Sequence, residues 1–551
     1  MVIKNIIKFL KFILLNEAYK FESKKSIRIR MRGYFKFYSN KKKENIPLKI
    51  KKEITKHKLK SVLKENKLLL NLFFGNKEVD KELLIRQFLL MRFGYFNFNR
   101  SLFYSKGLNN CSFAHAIPSD WYSIIEKNDI KINRSKSSFL FILNQFIHFF
   151  LGLFSIFEVA YTNFKISNKI YKEPYSVFYN AVSEKCFSNQ INDKKNKLSY
   201  SLLDWYLANK NTKKKNINLI IHNKKINNFL HGDIKVIYKK NLFPRLEFHM
   251  YLLFFLHSIT LSIFSLISIF FGKWYYSLLL KDSILNAYVK YCRRDLLAKE
   301  YLFDNSNFFY RPMWTHEIEK KQLDIICYFY STNCREIEFE KKDSSIGWGY
   351  GAMNWPIYYV WDNYQKKFIE EISSFKKKII INGPIYFIDK HVVLKKVNKK
   401  IITVFDVYPR RESVIRTRIE PIYYYNKNTI CKFLEDIFFL SKELNFHVYL
   451  KQKRKLSPEV HSKYRNLVQK ISTDENVTII NTDVSPVRLI QNSHLSISLP
   501  FTSSSLYAKK LGKKTVYYDC QNIIDKENIA SHGLQIVSGK EELKNWIYKN
   551  L

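Results

Sequence analysis

The stretch Leu495–Asp519 reads "LSISLPFTSSSLYAKKLGKKTVYYD". Apolar residues alternate as far as Leu499, a proline stops the pattern, and four hydroxyl residues follow, Thr502 to Ser505. A helical run then leads into a second apolar pattern, "TVYYD". Strand, short polar turn, helix and strand make the repeating unit of a parallel α/β sheet. Ligands of such sheets gather at the carboxyl ends of the strands. A helix starting at Thr502 offers unpaired N–H groups and the positive end of its dipole there. Clustered hydroxyls add donors, so the loop suits a phosphate oxygen. An ordinary helix cap at Thr502 or Ser503 explains the same residues. Both readings stand on the sequence.

The same alternation extends over residues 399–551. "IITVFDVYP", "FHVYLKQKRK", "VTIIN", "LSISLP", "TVYYD" and "LQIVSG" read as strands, with amphipathic helices such as "TICKFLEDIFFLSKELN" among them. This is a Rossmann-like series. "YLKQKRK" ends a second strand and puts Lys451, Lys453 and Arg454 at the same edge as Thr502, Ser503 and Ser504. Arginine grips phosphate in a bidentate fashion and lysine supplies a compact charge. These six residues are the candidate nucleotide and phosphate ligands. Neither G-x-G-x-x-G nor G-x-x-x-x-G-K-[ST] occurs, which counts against nicotinamide and P-loop ATP chemistry.

Residues 96–392 predict another α/β domain, with "SLFYSKGL", "NINLIIHN", "DIKVIYKK" and "KKIIINGPIYFI" as strands. Two apolar runs interrupt it, "FLFILNQFIHFFLGLFSIF" (139–157) and "MYLLFFLHSITLSIFSLISIFFG" (250–272). The second is long enough to span a bilayer. Spanning by both would strand a lysine-rich interval holding two sheet strands on the far side. Helices buried in the fold or lying against a membrane are therefore the expectation. Residues 1–95 form a basic N-terminal extension. It opens with "IKNIIKFLKFILL", whose Phe9, Phe12 and Leu15 can share one face of an amphipathic, membrane-surface helix.

The 551 residues carry 93 Lys and Arg against 48 Asp and Glu, a net charge of +45. Nucleic acid is the first partner such a charge suggests, yet no zinc-finger, helix-turn-helix or RNP-type pattern is present. An anionic membrane face is the partner expected, and no nucleic acid. A lysine-, asparagine- and isoleucine-rich composition also arises from A/T-rich codons without any polyanion. Seven scattered cysteines and an opening without a small-residue cleavage site fit a reducing cytoplasm, here at the inner face of the cell membrane.

The segment around Pro500–Ser503 resembles the bacterial polysaccharide biosynthesis proteins named for a Pro-Phe-Thr-Ser motif. "RPMWTHEIEKKQLDIICYFYST" (311–332), "WPIYYVWDNYQ" (355–365), "INGPIYF" (381–387), "VFDVYPRRES" (404–413) and "LKQKR" are similar to that family in the same order. The resemblance covers roughly residues 101–551. It implies a GT-B-like α/β fold, two Rossmann-like domains facing a cleft, preceded by the basic extension. It also implies a glycosyltransferase of capsule or lipopolysaccharide synthesis, moving a sugar from a nucleotide donor to a glycan or lipid-linked acceptor. Related CMP-sugar transferases hold the nucleotide phosphate with a His-Pro loop and a Ser/Thr loop. Here Lys453 and Arg454 stand where His-Pro would, which leaves the donor nucleotide open.

Sugar transfer needs cations for the leaving phosphate and a base for the acceptor hydroxyl. No D-x-D occurs, so no metal and no other cofactor is expected. Asp406, beside Arg410 and Arg411, and Glu317, beside Glu319 and Trp314, are the candidate catalytic carboxylates. His532 and Asp519 are loop residues on the nucleotide side. A CDP-alcohol-dependent polyol-phosphate transferase of the teichoic-acid type, and a basic membrane- or nucleic-acid-binding scaffold, are the competing readings.

Overall fold

The computed structural model describes residues 46–63, 73–75, 79–93, 98, 102, 112–165, 171–181, 183–187, 198–213, 215–305, 310–332, 334–337, 344–347, 349–373, 375–389, 393–411, 415 and 424–551. The expected amphipathic helix at Phe9–Leu15 and the strand "SLFYSKGL" lie outside the described residues.

Eight strands form the first sheet: β1 (Tyr175–Tyr179), β2 (Leu219–His222), β3 (Phe229–His231), β4 (Ile234–Tyr238), β5 (Glu300–Asp304), β6 (Asp324–Tyr328), β7 (Ile357–Val360) and β8 (Lys378–Ile381). Their order is β8-β7-β6-β5-β1-β2-β4-β3, parallel except for the β3–β4 pair. Central strands such as β2 and β5 are buried at every position, as a sheet covered on both faces requires.

The second sheet holds β9 (Ile401–Phe405), β10 (His447–Lys451), β11 (Val477–Ile480), β12 (Leu495–Ser498), β13 (Lys514–Asp519) and β14 (Ile536–Ser538). All six are parallel, in the order β11-β10-β9-β12-β13-β14. This is the doubly wound order 3-2-1-4-5-6, and its crevice opens between β9 and β12. The chain crosses between the sheets from Asp389 to Ile401, where Asp389 accepts hydrogen bonds from Ser485 N (2.7 Å) and Arg488 (3.3 Å).

The carboxyl edges of the two sheets face each other. Beyond β6, Thr332 meets Ser503 of the second domain at 3.2 Å. Beyond β7, Asp362 meets His532 at 2.6 Å. The Tyr507 hydroxyl donates to Ile385 O at 3.2 Å, and its ring lies 5.4 Å from that of Trp361. The architecture is the GT-B-like pairing of two parallel α/β units.

A domain boundary near residue 95 does not appear in the packing. Ile50, Ile54, Leu59, Leu83 and Leu89 of the segment before it are buried in the first domain's core. Gln87 donates to Asn354 Oδ1 at 2.8 Å. Alternation of lysines with apolar residues made this segment read as a basic extension, but the buried apolar residues described between 46 and 93 belong to the core.

A helical layer covers one face of the first sheet. α1 (Arg134–Lys165) and α2 (Phe248–Phe270) pack side by side on α3 (Trp274–Tyr291), which is almost wholly buried. The α1–α3 contact depends on Gly152. A Cβ built there would lie 2.5 Å from Leu280 Cγ, and Leu280 is fully buried. Gly152→Ala would gain about 1 kcal/mol of helix propensity. Overpacking of this kind costs roughly 1–3 kcal/mol, so the steric effect should win. We expect a lower melting temperature for Gly152→Ala, measured by circular dichroism. A rise would show that the helices separate easily.

Candidate functional site

The turn after β12 departs from an ordinary strand-to-helix connection at Phe501, whose φ of 65° is left-handed. Only glycine adopts that region freely, and a bulky residue there must be held. Three contacts hold it. Tyr425 donates its hydroxyl to Pro500 O at 2.6 Å, Tyr517 donates to Thr502 O at 2.9 Å, and the Phe501 ring meets that of Tyr517 edge-on at 5.9 Å. Tyr517 is the first tyrosine of "TVYYD". The second, Tyr518, donates to Asp436 at 2.6 Å. Asp519 accepts from Tyr424 and from the N–H groups of Gln521, Ile523 and Ile524. Asp519 thus builds the loop beyond its strand, and does not point into a ligand site.

The turn opens into α4 (Ser503–Lys510), and Thr502 at its N-cap position makes no side-chain cap. The Thr502 hydroxyl instead turns back to donate to Leu499 O at 3.1 Å. Ser503 Oγ reaches across to Thr332, and Ser505 Oγ pairs with Ser498 Oγ at 2.5 Å. The half-buried Ser504 and the first N–H groups of α4 are the donors remaining for a ligand. The capping explanation of the hydroxyl cluster therefore fails for Thr502.

On the other side of the turn lies a pocket of about 180 Å³, lined by Tyr408, Arg410, Tyr425, Lys453 and Arg454 among others. The loops after β9 and β10 are clamped together by Arg411 N to Glu459 O (2.8 Å) and His461 N to Pro409 O (2.9 Å). The Lys453 pKa is lowered, by desolvation first and then by repulsion from Arg454 and Arg410. Its side chain is open to solvent, so crowding by like charge is the more telling cause. Three cations that repel one another at one pocket are relieved by an anion.

Lys451 does not join them. It is buried, and its Nζ donates to Asn481 O (3.2 Å) and Gln452 O (3.4 Å). Burial lowers its pKa to about 8, against the pull of Asp483, Asp406 and Asp389. The alternation of side chains along β10 sends Lys451 into the fold, while Lys453 and Arg454 lie beyond the strand's end.

Asp406 follows the carboxyl end of β9, on the side of Lys451 of β10 and Tyr464 of the next helix, and is 4% exposed. Its Oδ2 accepts from the Tyr464 hydroxyl, and its Oδ1 is buried without a partner. Burial raises its pKa to about 7, against the Tyr464 bond and the Lys451 ammonium. Glu317 is elsewhere. It lies on α5 (Trp314–Lys320; sequence position after α3), buried against Gly75 and Asn286, within the influence of Lys320, Lys290 and Lys321. Lys321 is anchored on the carbonyls of Lys290 and Cys292, at the amino end of the sheet. The structure does not bring Glu317 to the cleft. Glu319 pairs with Arg311, and Trp314 and Trp355 are core residues.

Sequence reasoning missed Asp362. It caps the helix after β7, accepting from Gln365 N at 2.9 Å, and its second oxygen receives His532 Nδ1. His532 has a φ of 55° and lines an interdomain pocket with Thr332, Arg335, Tyr364 and Phe501. Desolvation raises the Asp362 pKa, but the His532 bond and charge outweigh it and the net shift is downward. The "WDNYQ" N-cap pattern signalled a helix start, yet nothing in it told of a histidine 170 residues away. Among the described residues no group of three or more His, Cys, Asp or Glu is arranged to hold a metal.

The raised Asp406 pKa has a defined effect on stability. The folded protein holds this proton up to about pH 7, whereas the unfolded chain releases it near pH 4, so stability from this group is full below pH 4 and lost as pH rises to 7. Melting temperatures of the wild type and Asp406→Asn should diverge across that window, the variant lacking the loss, and run parallel above it. Parallel curves throughout would mean that the carboxylate titrates in the folded protein as it does in the unfolded chain.

A family model described as polysaccharide biosynthesis PFTS motif protein matches residues 262–547. None of the curated proteins compared with the chain matches it. Among solved structures it is similar to the crystal structure of Methanocaldococcus jannaschii UDP-GlcNAc 2-epimerase in complex with UDP-GlcNAc and UDP. The identity is 13% and the TM-score 0.34, over 69% of this chain and 92% of that one. The family match takes in more than half of the chain, including the whole second sheet and the turn at Phe501, and the chain belongs to the polysaccharide biosynthesis PFTS motif proteins.

Proposed function

We propose that the chain is a metal-independent glycosyltransferase of bacterial surface polysaccharide synthesis, using a nucleotide sugar, with a CMP-sugar favoured. The observation that carries this reading is the uncapped start of α4, set beside the Arg410, Lys453 and Arg454 pocket at the β9–β12 crevice. A donor phosphate there would be met by a helix N-terminus and by cations held in place before reaction. Tyr408 and Tyr425 offer ring faces for the base in the same pocket. Capsule or lipopolysaccharide as the product, a glycan or lipid-linked acceptor, and a cytoplasmic site of action at the membrane's inner face belong to the same proposal.

For the base, the Asp406 pKa suits proton transfer near neutrality. Its burial beneath Tyr464 opposes direct contact with an acceptor. His532 is the better placed group. It faces the interdomain pocket, and Asp362 on Nδ1 fixes the tautomer that leaves Nε2 as the proton acceptor. His532→Gln is expected to reduce kcat about 10²- to 10⁴-fold with nucleotide affinity largely kept.

Calorimetric titration with CMP, CDP, UDP and GDP tests the nucleotide site. Lys453→Ala and Ser504→Ala should each weaken the preferred nucleotide about 10- to 150-fold, the cost of one charge-assisted hydrogen bond of roughly 1.5–3 kcal/mol. Melting temperatures of the free variants should stay unchanged. Unchanged affinity in both variants would remove the phosphate site, and would favour the basic scaffold. A phosphodiester in the product would identify a polyol-phosphate transferase instead.

A further inference from the structure

α1 and α2 are inside-out compared with the surface helices of a soluble protein. A surface helix normally turns its apolar stripe inward and its polar face to water. In α2 the inward side carries Ser258, Ser262, Ser265 and Ser268 beside Phe254, Leu261 and Ile269, all buried. Its outward side carries Phe248, Leu252, Leu256, Ile263, Ile267 and Phe270, all exposed. α1 repeats the arrangement. Asn144, Gln145, Gly152, Ser155 and Asn163 are buried along with Phe141, Phe149 and Ile156, while Phe139, Phe150, Phe154, Phe157 and Phe164 are exposed. Phe157 is 70% exposed and Leu256 62%. The outward residues recur every three or four positions along nearly the whole of both helices. Small and polar residues between helices, with large apolar ones outside, is the packing of helices in lipid.

Both helices are long and apolar enough to cross a bilayer. The sheet forbids it. β1, β2 and β4 lie between α1 and α2 in the chain, and β5 follows them. β1 pairs with β5 from Ser176↔Glu300 to Tyr179↔Phe303. If α2 crossed, these partners would lie on opposite sides of the membrane unless α3 crossed back, and α3 is packed inside the protein with Lys281 and Asp282 at its middle. If α1 alone crossed, Gln87 could not bond Asn354. Each helix must therefore stay on one side.

We propose that the joint outer face of α1 and α2 lies in the plane of a bilayer, sunk into the interfacial region of one leaflet. Charge decides between lipid and a second copy of the chain. Each copy carries +45, so two copies meeting here would repel, whereas an anionic leaflet attracts. Exposed Lys136 and Lys165 stand near the two ends of α1, where a basic side chain reaches headgroups. Burial of large apolar residues with cations at the rim is the physics of an interfacial helix. This inference does not rest on the nucleotide-site reading.

The test is flotation of the full chain with vesicles of phosphatidylethanolamine and phosphatidylglycerol, beside vesicles of phosphatidylcholine alone. The wild type should float with the anionic vesicles, and less with the neutral ones. Phe157→Asp with Leu256→Asp should reduce the bound fraction at least ten-fold, with nucleotide affinity and melting temperature kept. The milder pair Phe157→Ser with Leu256→Ser guards against misfolding and should show a smaller loss in the same direction. Removal of residues 1–45 should leave flotation by this face in place. The proposal is overturned if the wild type fails to float, or if both double variants float as the wild type does. It is equally overturned if the variants only convert a dimer to a monomer, or if protease added outside sealed vesicles cannot reach residues 171–247 although it cleaves after residue 300.

Discussion

Phe501 occupies a backbone conformation that costs a bulky residue on the order of 1–3 kcal/mol, and the features around the candidate site follow from how that cost is met. Hydrogen bonds from Tyr425 and Tyr517 to the carbonyls on either side each contribute about 0.5–1.5 kcal/mol, and a ring contact adds to them. The two effects are of the same size, so the turn holds only while both tyrosines are present. Its geometry turns the chain sharply from β12 into α4. The first N–H groups of the helix then stand at the crevice where the strand order reverses. Tyr425 also lines the basic pocket. One side chain thereby ties the basic pocket to the helix start, and displacement of either is felt by the other.

Position along a strand separates structural cations from available ones. Lys451 and Lys453 are two residues apart, yet the first is buried on backbone carbonyls and the second is open at a pocket. The buried one is costly alone, since a desolvated ammonium needs partners. Asn481 O and the nearby carboxylates, Asp406 among them, supply them. Asp406 is raised by burial and lowered by Lys451, so each holds the other's charge state in check.

Much of the second domain was legible in its sequence because each strand is short, rich in apolar and β-branched residues and bounded by a turn. "IITVF", "HVYLK" and "LSIS" could hardly be anything else in alternation with amphipathic helices. The switch point was legible for the same reason, and with it the loop edge carrying Thr502–Ser504, Lys453 and Arg454. Burial was not. Nothing in "YLKQKRK" separates Lys451 from Lys453 except strand phase. Nothing in "TVYYD" shows that its first tyrosine supports a strained turn sixteen residues earlier in the chain. The first domain was harder. β1 "YSVFY" and α3 "WYYSLLLKDSILNAYVKY" lack clear periodicity because almost every position is buried. Contacts between distant segments, such as Asp362 with His532, have no local signature at all.

α1 and the carboxyl edge of the first sheet share one pocket. α1 contributes Glu158 and Thr162 to a cavity of about 190 Å³ that also takes in Tyr179, Asn223, Lys240 and Lys281. Tyr179 and Asn223 are at the carboxyl ends of β1 and β2, the edge that faces the second domain. With the outer face of α1 on a bilayer, this cavity would lie between the lipid surface and the interdomain cleft. Lys240 is held by Glu158 at 2.8 Å, so the two charges are poised at the rim and not locked in the core. An acceptor carried on a lipid could then present its polar end at the sheet edge while its chain stayed in the leaflet. A soluble acceptor would gain nothing from this geometry. A lipid-linked acceptor, as proposed, would give the apolar face and the lysine at its edge a common physical reason.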